Sequence, residues 1–139
     1  MFSSNTKRQQ QLCVYSNSYR MRPRPDIATE PTAVTVAEQF QNETLRPILK
    51  ALDELLVAYY RHHLPKRKSS FARLTHEDKL AYIERSVRDD TRLRLMLIGM
   101  VVGQFTPEEF ATFVSEEAEL TRRIANLLIQ RLQSQVERI

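Results

Sequence analysis

Glycine is almost missing from this chain. Two of its 139 residues are glycine, where an ordinary domain carries roughly 7%. β-Hairpins depend on positive-φ turns, which glycine supplies. Strands would have to be joined without that turn chemistry, whereas helices joined by short polar turns need far less of it. Long apolar runs are also missing. The longest, Leu95 to Gly103, spans nine positions, well short of the roughly 18 that a membrane span needs. No membrane partner is therefore expected. Cysteine is reduced to one residue, Cys13, so an internal disulfide is excluded. This fits a reducing compartment, and a cytoplasmic location is the expectation. No apolar core follows Lys7 and Arg8, so the first residues do not read as a secretion signal.

What is present points to an all-α domain behind a tail. The chain is long enough to bury a core without disulfides or metal. Residues 1–33 are rich in Gln, Ser, Asn and Arg and hold three of the six prolines. That composition predicts a disordered tail. Met21 is a second candidate start, which would make 1–20 an upstream extension. Residues 1–34 carry five basic and two acidic side chains, a net +3. The remainder of the +4 total, +1, belongs to everything after them. The domain proper, 34–139, is thus nearly neutral.

The spacing predicts an irregular bundle of four to five helices. A first helical region runs from about Thr35 to Leu64, opened by a capping box of Thr35 and Glu38. Val36, Phe40, Leu45, Ile48, Leu49, Leu52, Leu55, Leu56, Tyr59 and His63 follow three-and-four spacing. Pro47 interrupts the pattern, either kinking the helix or splitting it near 42–44. Pro65 ends it. A second helix starts after the cap Thr75, with Leu80, Ile83 and Val87 inward. Asp89 or Asp90 caps a third, which is apolar nearly all round and so reads as the central buried element. The last helix opens on Thr106-Pro107-Glu108-Glu109, a capping box with proline at the first helical position. Phe105 and Phe110 stand at staple positions. Phe110, Phe113, Val114, Leu120, Ile124, Leu127, Leu128, Leu132 and Val136 line one side. Unbroken, this helix would run about 45 Å. A break near Ser115 is the alternative.

Chemistry-bearing patterns are few. His62, His63, His76 and Cys13 are the metal-ligand candidates. Adjacent His62 and His63 project roughly 100° apart on a helix, and neither has a carboxylate or histidine at i+3 or i+4. His63 is expected partly buried and His62 exposed. Cys13 lies in the tail with no base fixed beside it. Serines lack a strand-turn-helix elbow, and phosphate-cradling glycine loops are absent. The carboxylates interleave with arginine, as in Glu119 with Arg122 and Arg123, and read as helix-surface pairs. No catalytic, cofactor-binding or metal-binding residue is assigned, and no cofactor is implied.

Three features carry interaction readings. Gly99 and Gly103 form a G-x-x-x-G, either a close helix contact between subunits or a helix cap plus one close-packing glycine. Arg61, His62, Lys66, Arg67, Lys68 and Arg73 concentrate positive charge between 61 and 73. They read as an anion or nucleic-acid site, or as a solvated cap at a helix C-terminus. Leu120, Ile124, Leu128, Leu132 and Val136 step by four along the last helix. Two short middle helices cannot cover a helix of about 45 Å. Part of the stripe must then pack on the 35–64 region or on a second subunit.

The segments Gln39–Lys50, Tyr82-Ile83-Glu84 and Ile98–Thr106 resemble a family of short uncharacterised all-helical bacterial proteins, over about 35–139. Some members carry a glyoxalase label. Glyoxalases have mixed α/β domains with converging His and Glu metal ligands, and this sequence offers neither. The resemblance brings no activity or site residues. The expectation is a non-catalytic helical interaction protein, homo-oligomeric through its last helix, with a further protein partner of unknown identity. The alternative is anion or RNA binding through 61–73.

Overall fold

The computed structural model describes residues 23–27, 35–66 and 70–139. Among the described residues seven α-helices follow one another: α1 (Val36–Phe40), α2 (Arg46–Ala51), α3 (Asp53–Lys66), α4 (His76–Asp89), α5 (Thr91–Val102), α6 (Pro107–Ser115) and α7 (Glu117–Ser134). A π-helical turn, Gln41–Leu45, joins α1 to α2. Short 3-10 turns cover Phe71–Arg73 and Val136–Arg138. No strand occurs among the described residues. The fold is all-α, as the scarcity of glycine implies.

Helix starts follow their capping chemistry. Thr35, Thr75, Asp90 and Thr106 each accept a hydrogen bond from the third backbone N–H of the helix they open. At Thr106 the Glu109 side chain also accepts from the Thr106 amide, at 2.8 Å, closing the box. Asp90, not Asp89, is the third-helix cap. The chain changes direction with a single residue between α4 and α5, so these two helices are held in contact.

Pro47 shapes the first region before it is reached. It has no N–H to give to Glu43, so the preceding turn widens. Arg46 donates its amide to the Gln41 carbonyl, five residues back. A further bend at Leu52 keeps its i−4 hydrogen bonds on both sides. An extra residue per turn rotates everything after it by roughly 100°. The buried line is Leu45, Ile48, Leu49, Leu52, Leu56 and Tyr60, with Val57 beside it. Val36 and Leu55, expected inside, are exposed, while Tyr60 is fully buried and binds Ser86 Oγ at 2.7 Å. Pro65 sits inside the last turn of α3 and does not end it.

The centre of the bundle is α7, not α5. It packs on α2, α3, α4, α5, α6 and the π turn. Its residues Leu120, Ile124, Leu128 and Leu132 have no exposed surface at all. The chain breaks at Glu116, so α7 is 18 residues long and its neighbours suffice to wrap it. One core runs from Ala37 to Val136. The Phe105 ring meets Phe40 edge-to-face at 5.4 Å and lies tilted against Phe113 at 5.6 Å. Phe113 thus takes the role expected of Phe110, which is exposed together with Val114. At the far end Arg138 binds Asp53 at 2.6 Å, fastening the last turn to the start of α3.

Most of the expected tail lies outside the described residues, including Cys13 and both candidate starts. Residues 23–27 correct the expectation where they are seen. Arg24 reaches Glu109 at 2.6 Å and also donates to the Gln104 carbonyl. Its side chain is 11% exposed. An arginine gains charge-assisted hydrogen bonds here that water would otherwise supply, so this piece is docked on the bundle.

Candidate functional site

The site is built where the C-terminal part of α3 meets Asp90 and the outer side of α5. From α3 come Tyr59 and His63, one turn apart on the same face. Their rings stack with centroids 6.4 Å apart. From α5 and its cap come Asp90, Arg92, Leu95, Met96 and Gly99. Between the two helices lies an open groove of about 750 Å³, within the range usual for binding sites.

Polar chemistry collects at one end. His63 Nε2 meets Asp90 Oδ2 at 3.1 Å, while Asp90 Oδ1 accepts from the Leu93 amide at 3.1 Å. One carboxylate thus caps α5 and holds the imidazole in place. Its two oxygens are engaged, which leaves Arg92 as the groove's exposed charge. Among the described residues the Arg92 side chain has no ion-pair or hydrogen-bond partner.

Apolar surface fills the rest. Leu95 is 62% exposed and Met96 50%. A Cβ built at Gly99 meets nothing within 4 Å, so this glycine is not a close-packing position within the chain. Gly103 caps α5 in an ordinary right-handed conformation, and a Cβ there would approach the Gly99 carbonyl at 3.1 Å. The G-x-x-x-G therefore serves no contact inside the bundle. It leaves a flat, open track on the outside of α5. A smaller concavity of about 350 Å³ lies between α1 and α6, lined by Val36, Phe40, Glu43, Thr44, Glu108 and Glu109. Glu109 there is under opposing pressures. Burial raises its pKa, but hydrogen bonds from Arg24 and the Thr106 amide, with the charge of Arg24, together hold it below the ordinary 4.5.

The residues singled out in the sequence fall unevenly. Leu120, Ile124, Leu128, Leu132 and Val136 are core of the single chain. The first four have no exposed surface and Val136 is 5% exposed, so they offer no seam to a second subunit. Arg61, His62 and Arg73 are exposed, while Arg67, Lys68 and the side chain of Lys66 lie outside the described residues. His63 is 14% exposed and His62 is exposed, as the spacing implied. No group of three or more metal-ligating side chains forms among the described residues. No helix among them is long and apolar enough to cross a membrane.

Sequence reasoning missed the groove itself. The carboxylate beside His63 comes from 27 positions away, out of reach of i+3 and i+4 logic. One signal was available. A helix apolar on every side cannot bury every side in a small bundle, so α5 had to leave apolar residues outside.

No family model, curated protein or solved structure matches the chain.

Proposed function

We propose that this protein is a non-catalytic helical binding protein whose working surface is the α3–α5 groove. One observation supports the reading above others: Leu95 and Met96 are at least half exposed, beside an open Gly99, over a groove of about 750 Å³. Contiguous apolar surface rimmed by polar groups marks interaction sites. Methionine at such a surface adapts its shape to a partner. The His63–Asp90 pair fits a structural role here, since Asp90 caps α5 while it holds the ring.

The test is comparative capture from the native host. Proteins retained by the unmutated chain are expected to be lost with Leu95→Glu plus Met96→Glu. They should be kept with Phe110→Glu plus Val114→Glu, which alters an exposed pair on α6. Equal capture by all three chains would overturn the reading.

A second reading, anion or RNA binding through 61–73, draws support from the exposed Arg61, His62 and Arg73. Binding of a generic RNA should then weaken steeply with salt. It should vanish with Lys66, Arg67 and Lys68 changed to Gln. Binding indifferent to either change would remove this reading.

A further inference from the structure

The groove has a chemical polarity that narrows its occupant. Its floor is apolar and its exposed charge, Arg92, is positive. Asp90 keeps its negative charge, but its two oxygens are turned to His63 and to the Leu93 amide, so the group presented to a ligand is the Arg92 guanidinium. His62, also exposed, stands three residues from Tyr59 on the same side of α3 and brings no carboxylate. From Arg92 to Gly99 the track rises about 10 Å, roughly two helical turns. Open Gly99 lets a second backbone approach closely at one end.

Resting on the proposed binding role, we infer that the groove takes an amphipathic helix of a partner protein that carries carboxylates beside its apolar face. Such a helix lays residues at i, i+3, i+4 and i+7 into an apolar groove. Its apolar side chains cover Leu95, Met96 and Gly99, and its carboxylates meet Arg92.

Two other occupants have the wrong charge. Residues 1–22 of this chain include Lys7, Arg8, Arg20 and Arg22 and no acidic residue. A second copy placed face to face brings Arg92 as its exposed cation, and its groove carboxylate, Asp90, is already held by His63 and the Leu93 amide.

Two synthetic helical peptides test the assignment. They share one leucine face and differ only at the flanking positions, glutamate in one and lysine in the other. Fluorescence anisotropy with the full chain at low ionic strength reads their affinities. The glutamate peptide is expected to bind more tightly by roughly fivefold or more. Arg92→Glu should reverse that order. Gly99→Leu puts a bulky side chain on the open track, starting from a Cβ that meets nothing within 4 Å. It should weaken both peptides by roughly tenfold or more, with a melting temperature no lower than that of the unmutated protein.

Equal affinity for both peptides, unchanged by Arg92→Glu but lost with Gly99→Leu, would overturn the acidic partner and leave the groove as a docking site. Binding of neither peptide, or binding untouched by Gly99→Leu, would overturn the groove itself. A concentration-dependent dimer in sedimentation velocity that Gly99→Leu dissociates would give the groove to a second copy, and so overturn the inference.

Discussion

Helices α5 and α7 are both rich in leucine, yet they end in opposite circumstances. In α7 the apolar residues form one stripe, with Glu119, Arg122 and Gln130 on the other side. A helix of that kind has one good orientation, and its neighbours close over the stripe until Leu120, Ile124, Leu128 and Leu132 are fully buried. In α5 apolar residues occupy every side. Leu93, Leu97 and Val101 face the core, and Leu95 and Met96 are left outside. Total hydrophobicity would rank α5 as the more central helix. The arrangement of polar residues decides otherwise, because an apolar side is buried only if another element is there to cover it. Helix α7 has partners on five other helices, and α5 touches mainly α4 and α7.

The sharpest way to break this comparison is to truncate one side chain from each face. Leu128→Ala in α7 opens a cavity in a packed core and should cost roughly 2–5 kcal/mol. Met96→Ala on the exposed face of α5 should stay within about 0.5 kcal/mol. Urea unfolding of both variants measures the difference. Comparable costs would mean that the α5 face is covered in solution.

The start of α6 sets where the chain leaves α5, so its cap controls how α5 and α7 are placed. Thr106→Ala removes the bond from the Glu109 amide to Thr106 Oγ1, 3.2 Å long. A loss of about 1 kcal/mol is expected from unfolding curves. An unchanged midpoint would show that Pro107 and Glu109 hold the helix start without it.

Glycine substitutions ask whether the outer side of α5 is open. Gly99→Ala gains helix propensity and meets no neighbour, so stability should rise by roughly 0.5–1 kcal/mol. Gly103→Ala places its Cβ 3.1 Å from the Gly99 carbonyl and should gain less. Thermal melts that reverse this order would contradict the open track.

The parts of the molecule that were legible in the sequence are those set by local chemistry. Thr35, Thr75 and Thr106 cap through their own side chains and the next few amides, and all three helix starts follow. His63 turned inward, as its place on the apolar spacing implied. Features set by geometry at a distance were not legible. The chain departs from helical angles at Leu52, between α2 and α3, and Tyr60, not Leu55, lies in the core. The break at Glu116, beside the one the sequence offered as an alternative at Ser115, converts a helix too long for its neighbours into one they can surround. That removes the reason for reading Leu120 to Val136 as a subunit seam. The candidate groove needed Asp90 and His63 to meet across 27 positions, which no local pattern records.

The last expected effect concerns residues 23–27, which lie against the junction of α5 and α6. Composition alone assigned them to a tail, but Arg24 touches Glu109 and the Gln104 carbonyl just beyond the end of α5. If this contact helps fix the junction, Arg24→Gln should cost about 1 kcal/mol at neutral pH. That is below the value for a deeply buried charged hydrogen bond, because water still reaches both side chains. The sign with pH follows from Glu109, whose pKa is held below the ordinary 4.5 in the folded chain. A lowered carboxylate pKa gives stability that is complete above the unfolded value and fades as pH falls through the folded one. The gap between the unmutated protein and Arg24→Gln should therefore be constant above about pH 5, near the unfolded carboxyl value. It should close in more acid solution, once Glu109 is neutral. Urea unfolding of both proteins across that range measures it. A gap that persists undiminished in acid would show that the Gln104 carbonyl, which does not titrate, holds Arg24 by itself.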